Sequence, residues 1–250
     1  MNRSRFWKIK LSETALLISD LHLSEDTPEI EQGLYRLLHS QQAGSAVYIL
    51  GDFFEAWIGD DDDAPLAARV QSALKALTDK GCALYLQRGN RDFMLGQAFA
   101  ESVGAELLGD SVVTTLGGQP TLLMHGDTLC TDDTDYLQFR GLVHDPAWQQ
   151  EMLAKPLDER RALAQQLRNL SIDAASNKAE DIMDVNEQAV TDAMVAAGVQ
   201  RLIHGHTHRP KRHQHDHGER IVLGDWTAAR GWCVKIAANG GCELESFLLA

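Results

Sequence analysis

The chain has 250 residues, of which 44% are hydrophobic and 24% are charged, and this balance excludes a disordered or fibrous protein. Its formal net charge is −13, so we expect no nucleic-acid partner, because proteins that bind a nucleic-acid backbone usually present a basic surface. The length suits one sizeable α/β unit, and we expect residues 1–250 to form a single domain.

Short apolar runs alternate with helix-like periods along the chain. The runs that we predict to be buried strands are 15–18, 46–50, 83–86, 121–124 and 201–203, followed by 220–223, 232–236 and 243–248. Helices are predicted to begin at Pro28, after Thr27 as N-cap, and at Pro65, because proline is favoured in the first helical turn. This alternation predicts a layered α/β fold.

The stretch from about 132 to 198 shows only helical periodicity. Leu163, Leu167 and Leu170 form one apolar stripe, and a second stripe runs from Ile182 to Ala196 and ends at Gly198. We interpret the stretch as a helical insertion over the mouth of a site, since long insertions between strands commonly carry substrate-binding elements.

Five polar motifs directly follow five of the predicted strands. They are Asp20-Leu-His22, Gly51-Asp52, Gly89-Asn90-Arg91-Asp92, His125-Gly126 and Gly205-His206-Thr207-His208. Ligands bind at the carboxyl ends of strands in α/β sheets, and carboxylate, amide and imidazole together suit divalent metals. The i, i+2 spacing in two motifs predicts extended segments whose side chains point the same way. The glycines are expected to allow sharp turns.

The order D-x-H, G-D, G-N, H and G-H-x-H resembles that of the calcineurin-like metallophosphoesterases. The resemblance implies an αββα sandwich of two mixed sheets flanked by helices, with the helical insertion as a lid. It also implies two divalent metal ions that activate a water molecule. One ion would be held by Asp20, His22, Asp52 and His208, and the other by Asp52, Asn90, His125 and His206.

One residue departs from the commonest form of that family, which has a histidine directly after the motif's asparagine. Here the residue is Arg91, a fixed cation that binds phosphate and stabilises transition-state charge but is a poor proton donor. We therefore expect Arg91 to be catalytic and the chain to fall in a narrower subgroup. The resemblance implies His206 as a second catalytic residue.

Longer strings at 49–62, 124–133 and 203–210 resemble a subgroup that hydrolyses UDP-2,3-diacylglucosamine to UMP and 2,3-diacylglucosamine 1-phosphate in lipid A synthesis, usually with Mn²⁺. Carried over by position, the resemblance implies substrate contacts at Asn90, Arg91, Asp133, Ser171, Lys178 and His206. Ala175 stands where relatives have an asparagine, so one hydrogen bond to the substrate is expected to be absent or replaced.

The insertion offers an apolar surface on which acyl chains would lie. Its members are Trp148, Met152, Leu153, Leu157, Leu163 and Leu167, although simple packing explains about half of them equally well. Lys155, Arg160, Arg161 and Arg168 outnumber Asp158 and Glu159 in the same segment. This favours peripheral contact with the anionic inner membrane on its cytoplasmic face, the alternative being a solvated helix face. Four cysteines without a C-x-x-C pair also fit the cytoplasm.

Two other functions stay open. A soluble nucleotide phosphodiesterase or pyrophosphatase of the same superfamily would not need the apolar insertion. An inactive scaffold would have lost some of the seven ligands, and none is missing. We interpret His213, His215 and His217 as a surface strip, and the acidic run 60–63 as an exposed turn that lacks the spacing of a calcium loop.

Overall fold

The computed structural model describes residues 14–176 and 184–249, with no side-chain detail for 170–176. Eleven strands in this part of the chain form two sheets. The first sheet contains β1 (Ala15–Ile18), β2 (Ala46–Leu50), β3 (Ala83–Gln87), β4 (Glu106–Leu107), β10 (Arg230–Ile236) and β11 (Cys242–Leu248). The second contains β5 (Ser111–Leu116), β6 (Gln119–Met124), β7 (Arg201–His204), β8 (Lys211–His215) and β9 (Gly218–Val222).

Both sheets are mixed. The first has the order β11-β10-β1-β2-β3-β4, in which β1 to β4 run parallel to one another. β10 pairs antiparallel with β1, and β11 pairs antiparallel with β10. The second has the order β5-β6-β7-β9-β8, with parallel central strands and antiparallel strands at both edges. The carboxyl ends of β1, β2 and β3 therefore meet at one edge of the first sheet, and those of β6 and β7 meet at one edge of the second.

Seven helices in the described residues complete the layers. They are α1 (Pro28–Ser40), α2 (Pro65–Asp79), α3 (Gln97–Ser102), α4 (Thr134–Val143), α5 (Pro146–Leu153), α6 (Leu157–Ser176) and α7 (Glu187–Ala197). Leu16 and Ile18 of β1 pack on the side of α1 and α2, whereas Leu17 faces the second sheet. Residues of α7 pack on the outer face of the second sheet. The predicted sandwich of two mixed sheets between helices is confirmed.

The predicted strands are all present, and the apolar runs of β1, β2, β3 and β7 reflect burial on both faces of the sheets. Three strands escaped prediction: β4 is two residues long, and β5 and β8 are sheet edges with many exposed side chains. The second helical stripe begins later than predicted. The Asn186 side chain accepts hydrogen bonds from two backbone amides and caps α7, so Val185 precedes the helix.

No helix of the described residues is long and apolar enough to cross a membrane. All four cysteines are free of disulfides, and Cys82, Cys130 and Cys233 are buried.

Candidate metal centre and substrate cavity

The five motifs lie side by side because main-chain hydrogen bonds continue beyond the strand ends. The amides of Asp20 and His22 donate to the carbonyls of Gly51 and Asp52, over 3.1 and 3.0 Å. In the second sheet the amide of Gly205 donates to the carbonyl of His125 over 2.8 Å. The backbone amide of His206 also donates to the carboxylate of Asp20, which joins the two sheets at this edge.

One group of donors gathers around Asp20. Asp20, His22 and His208 each offer an atom within 4.8 Å of the others. The Nε2 atoms of His22 and His208 are 3.3 Å apart, and His208 Nε2 is 3.3 Å from Asp20 Oδ1. Asp52 Oδ2 lies 3.9 Å from His22 Nε2. These are the four side chains that the family resemblance implies for one metal ion.

A second group gathers around the amide oxygen of Asn90. His125 Nε2 and His206 Nδ1 lie 3.0 and 2.8 Å from Asn90 Oδ1. Asp52 Oδ1 is 3.7 Å from His125 Nε2, so the two oxygens of Asp52 face the two groups. His125 donates its Nδ1 proton to the carbonyl of Leu50 over 2.9 Å, which leaves Nε2 free to bind a metal ion.

The backbone at these positions is strained. Asp20, His22, Asp52, His206 and His208 all have φ between 48° and 68°, and they are the only non-glycine residues with positive φ in the described ranges. Such a conformation is uncommon for these residue types and persists only where the surroundings enforce it. The prediction that the two i, i+2 pairs lie on extended segments is therefore wrong: left-handed turns aim these side chains.

Two glycines matter for space and not for an unusual φ. A Cβ atom on Gly205 would lie 2.1 Å from Asp20 Oδ2, and one on Gly89 would lie 2.2 Å from Asp52 Oδ1. The carboxylates of Asp20 and Asp52 thus approach the neighbouring main chain more closely than any side chain at positions 205 and 89 would allow.

The electrostatics of this edge favour cations. Burial works against protonation of His125, yet the carboxylates of Asp52, Asp20 and Asp127 raise its pKa to about 9. Burial lowers the pKa of His206 to about 4, helped by the neighbouring His125, so the ring of His206 is neutral at pH 7. The site therefore combines buried carboxylates that attract positive charge with a neutral imidazole that can bind it.

The donor set fits divalent metal ions. Two ligands at right angles on one ion, each about 2.1 Å from it, are themselves about 3 Å apart. The separations of 2.8 to 3.3 Å around Asn90 and between His22 and His208 match that geometry. Mixed oxygen and nitrogen donors suit first-row divalent metals, so the chemistry and the spacing agree.

We call the edge of the sheets that carries Asp20, His22, Asp52, Asn90, His125, His206 and His208 the metal edge. A cavity of about 610 Å³, a size typical of small-molecule sites, opens from it. Its polar end includes His22, Asp52, Asn90, Arg91, His206 and His208. Its other walls are largely apolar and include Trp57, Phe93, Phe139, Trp148, Met152, Leu163 and Leu167. Four of the six insertion residues that we expect to meet acyl chains thus line the cavity, whereas Leu153 and Leu157 do not.

The residues predicted to contact substrate are distributed unevenly. Asn90, Arg91, Asp133 and His206 line the cavity. The Asp133 carboxylate also accepts a hydrogen bond from the Tyr136 amide over 3.0 Å and caps α4. Ser171 and Ala175 belong to α6, but their side chains lie outside the described part, and Lys178 lies outside it altogether.

The acidic run 60–63 is predicted to be an exposed turn, but its side chains also bind other parts of the structure. Asp60 accepts hydrogen bonds from the amides of Gly96 and Phe99, and Asp61 takes two from Arg160, over 2.7 and 2.5 Å. Arg161 reaches Asp62 over 2.8 Å and also contacts Asp63. The run therefore links the first turn of α6 to the loop after β2 and to the start of α3, on the helical side of the first sheet.

These pairs also change the view of the insertion's charge. Arg160 and Arg161 are paired with the acidic run, and Arg168 contacts Glu55. Three of the four basic residues that we expected to form a positive surface are thus neutralised within the protein. The predicted charge complementarity with an anionic membrane rests on a premise that the structure does not bear out.

Several polar residues of the site escaped prediction. The buried Asp92 accepts hydrogen bonds from the amides of Phe53 and Gly89, over 2.8 and 2.7 Å, and so joins the loops that carry Asp52 and Asn90. Asp127 accepts hydrogen bonds from Tyr136 and Arg140, each over 2.6 Å. Both aspartates belong to the motif strings, as G-N-R-D and H-G-D, but strings alone do not separate a supporting carboxylate from a ligand.

The interpretation of His213, His215 and His217 as a surface strip stays a prediction. The rings of His213 and His215 stack with centroids 6.4 Å apart on the hairpin of β8 and β9, and His215 Nδ1 lies 3.3 Å from a Glu187 oxygen. Neither they nor His217 belong to a metal-type cluster within the described residues.

Comparison with known proteins gives a consistent result. The family model described as calcineurin-like phosphoesterase matches residues 14–210. The UDP-2,3-diacylglucosamine hydrolase of Cellvibrio japonicus is 52% identical over 230 residues, which are 90% of this chain and 95% of that protein. Proteins of the same name from Chromohalobacter salexigens and Marinobacter nauticus are 47% and 46% identical. They match 94% and 88% of this chain, and 97% and 92% of their own lengths.

Proposed function

We propose that this chain, which belongs to the calcineurin-like phosphoesterase family, hydrolyses the pyrophosphate bond of UDP-2,3-diacylglucosamine to UMP and 2,3-diacylglucosamine 1-phosphate in lipid A synthesis. The observation that carries the proposal is the position of the donor groups in a cavity whose remaining lining is largely apolar. A pyrophosphate with a diacylated sugar has the same division into a charged part and an apolar part.

The seven converging side chains are proposed to hold two divalent metal ions, with Asp52 between them. Asp20, His22 and His208 would complete one position, and Asn90, His125 and His206 the other. Divalent ions held by these residues would supply a bound water molecule with a lowered pKa and positive charge to stabilise the attacking and leaving oxygens. Mn²⁺ is the proposed metal because the family resemblance implies it, and the mixed carboxylate, amide and imidazole ligands accept it among other first-row divalent ions.

Arg91 is proposed to bind the pyrophosphate. Its guanidinium group lines the cavity next to the metal edge, and its backbone amide donates to Asp52 Oδ1 over 2.8 Å. The guanidinium would neutralise charge on the non-bridging phosphate oxygens as the bond to the bridging oxygen breaks. Because His206 is neutral at pH 7, it would bind a metal ion without first having to lose a proton. Asn90, Asp133, Ser171 and Lys178 are the further contacts proposed.

The helical insertion is proposed to be a lid, at about 132–198, on a single domain formed by residues 1–250. Residues of α5 and α6 join the core on the helical side of the first sheet, while α7 covers the second sheet. Side chains of α4, α5 and α6 also line the cavity. Both features support an element that is built onto the domain and shapes the binding site.

We propose peripheral contact with the cytoplasmic face of the anionic inner membrane, where the diacylated substrate would be met. Support comes from Leu142 and Leu153 of the insertion, which are 54% and 46% exposed. Co-sedimentation with vesicles of phosphatidylethanolamine and phosphatidylglycerol would measure the contact. We expect the bound fraction to fall in a variant with Leu142→Ser and Leu153→Ser, and unchanged sedimentation would contradict this part of the proposal.

The test of the activity uses purified protein with Mn²⁺ and UDP-2,3-diacylglucosamine in detergent, with UDP-glucose and a soluble phosphodiester in parallel. UMP release from the diacylated substrate alone is expected. Activity on the soluble compounds alone would support the second candidate, a soluble nucleotide phosphodiesterase or pyrophosphatase, and would refute the lipid assignment.

A matched pair of leucines refines the test. Leu167 lines the cavity, whereas Leu153 lies on the same insertion outside it. Leu167→Asn should raise KM for the diacylated substrate roughly tenfold, as expected from losing one apolar side chain in a binding site. Leu153→Asn should leave KM in detergent unchanged. Equal effects of the two variants would show that the cavity wall does not hold the acyl chains.

A further inference from the structure

Glu55 lies outside the five sequence motifs but contacts several parts of the site. It follows β2 by a few residues, and its amide donates to the carbonyl of Leu23 over 3.0 Å, which holds the segments after β1 and β2 together. Its side chain is 16% exposed and lines the cavity beside the metal edge. The backbone pairing therefore fixes where its carboxylate can lie.

The carboxylate touches three different parts of the site. Oε2 lies 3.2 Å from Nδ1 of His22, and Oε1 lies 3.5 Å from Nη1 of Arg91. Oε1 also contacts Nη1 of Arg168, on α6 of the insertion. One side chain thus joins a predicted metal ligand, a predicted phosphate-binding residue and the insertion.

The contact with His22 has a direct chemical consequence. A histidine whose Nδ1 is held by a carboxylate presents Nε2 as the metal-binding atom, in a fixed ring orientation and with greater basicity. In His22 that Nε2 atom lies 3.3 Å from the Nε2 atom of His208. The contact with Arg168, in turn, favours the position of α6 in which the insertion lies close to the metal edge.

We propose that Glu55 is a positioning residue that couples the seating of helix α6 to the orientation of the His22 ring. Metal binding and the docking of the insertion then stabilise each other, because both depend on the same carboxylate. The inference rests on the proposed function in one respect, which is that His22 binds a metal ion.

Binding of Mn²⁺ alone, measured by competition with a chelating dye, tests the first half of the coupling. We expect Glu55→Ala to weaken Mn²⁺ binding roughly 10- to 100-fold, the usual effect of removing a partner of a ligating histidine. Glu55→Gln should recover much of the affinity, because its amide oxygen can still accept a hydrogen bond from the Nδ1–H group of His22. A merely structural role would not produce that rescue.

Glu31 provides a matched control. It is a buried glutamate on α1 that pairs with Arg69 over 2.7 Å and accepts a hydrogen bond from Tyr35, away from the cavity. Glu31→Ala should lower the unfolding temperature while leaving Mn²⁺ affinity unchanged. Loss of affinity in both variants would mean that general destabilisation explains the result, and the inference would fail.

Hydrogen exchange tests the second half. Mn²⁺ should increase protection of the amides of residues 157–169 in the wild type, and this increase should be much smaller in Glu55→Gln, which no longer carries a charge to pair with Arg168. An equal increase in both proteins would overturn the coupling. If the wild type itself failed to bind Mn²⁺, the proposed function would fail too, whereas equal binding by wild type and Glu55→Ala would refute this inference alone.

Discussion

The metal edge and the helical insertion form one cavity but are built in different ways. At the metal edge, backbone hydrogen bonds beyond the strand ends set the position of each side chain, and five residues hold left-handed conformations. Within the insertion, the start of α6 is instead held by side chains, chiefly Arg160 with Asp61, together with Arg161 and Asp62. We call the metal edge the frame, because its backbone fixes the position of the metal-binding groups. We call the cavity-lining part of the insertion the wall, because it shapes the space that the substrate occupies.

The two kinds of construction differ in tolerance. Strained backbone conformations cost roughly 1–3 kcal/mol each and persist only where the surrounding structure enforces them, so the metal edge leaves little room for displacement. Exposed ion pairs contribute much less and can be replaced singly. We therefore expect changes at the metal edge to act on kcat, and changes in the insertion to act on KM for the diacylated substrate.

The largest effect is expected from Asp52→Asn. Asp52 is 2% exposed, and its two oxygens face the two donor groups. The amide cannot bridge two cations as a carboxylate does, so kcat should fall roughly a thousandfold, at the upper end of the effects seen when a key electrostatic group is removed. Steady-state kinetics with Mn²⁺ would measure it.

The control for Asp52→Asn is Asp79→Asn at the exposed end of α2, which should be fully active. The metal-free Asp52→Asn protein should unfold at no lower temperature than the wild type, because it loses a buried charge near Asp92. Activity above a tenth of wild type in the Asp52 variant would contradict a bridging role.

A second large effect is expected from Gly205→Ala, which tests the frame without removing a ligand. The new Cβ would lie 2.1 Å from Asp20 Oδ2 and 2.3 Å from Ser19 Oγ, so the carboxylate must move. We expect kcat to fall roughly a hundredfold, the loss that follows from misplacing groups by about an ångström. Gly141→Ala on α4, where a Cβ would have open space, is the control and should leave kcat unchanged. Similar kinetics for the two variants would show that the frame is more adaptable than proposed.

The metal edge was predictable from sequence because each of its residues follows a buried strand. The apolar runs that precede Asp20, Asp52 and His125 are read correctly from their composition alone, and parallel pairing then brings their ends together. The left-handed conformations were not predictable, since aspartate and histidine carry no signal for positive φ comparable to that of glycine.

The fastening of the insertion was not predictable for another reason. Arg160 and Asp61 are far apart in the chain, and a charged residue on an amphipathic helix looks the same whether it meets solvent or a distant partner. The sequence therefore predicts a position for Arg160 on a positive surface, although its side chain is 5% exposed. Glu55 escaped notice in the same way, because its partners His22, Arg91 and Arg168 come from three separate segments.

Two neighbouring arginines test how the wall is held. Arg160 donates to Asp61 and also to the carbonyls of Ile58 and Lys155, over 2.7 and 3.0 Å. Arg161 is more exposed and pairs with the half-buried Asp62 and the exposed Asp63. Arg160→Met should lower the free energy of unfolding by about 2 kcal/mol, because the buried carbonyl of Ile58 and the half-buried carbonyl of Lys155 lose their donor. It should also raise KM for the diacylated substrate several-fold with little change in kcat.

Arg161→Met is the matched control: it should lower the free energy of unfolding by less than about 1 kcal/mol, as expected for a partly exposed ion pair, and should leave the steady-state kinetics unchanged. If both variants were equally mild, the insertion would have to be held by its apolar contacts alone. A large loss of kcat in Arg160→Met would instead mean that wall and frame are not separable.

The smallest effect expected is the pH dependence of the same clamp. Hydrogen bonds from Arg160 hold the pKa of Asp61 below its ordinary value, despite the opposing effect of partial burial. A carboxylate with a lowered pKa in the folded protein stabilises it above the unfolded pKa of about 3.9, and the contribution is lost as pH falls through the folded value. The difference in unfolding free energy between wild type and Asp61→Asn should thus be constant from about pH 5 to 8 and shrink below about pH 4. Because Asp61 is 63% exposed, the difference should not exceed about 1 kcal/mol. A difference that grew on acidification would mean that Asp61 is not held as a charged partner of Arg160.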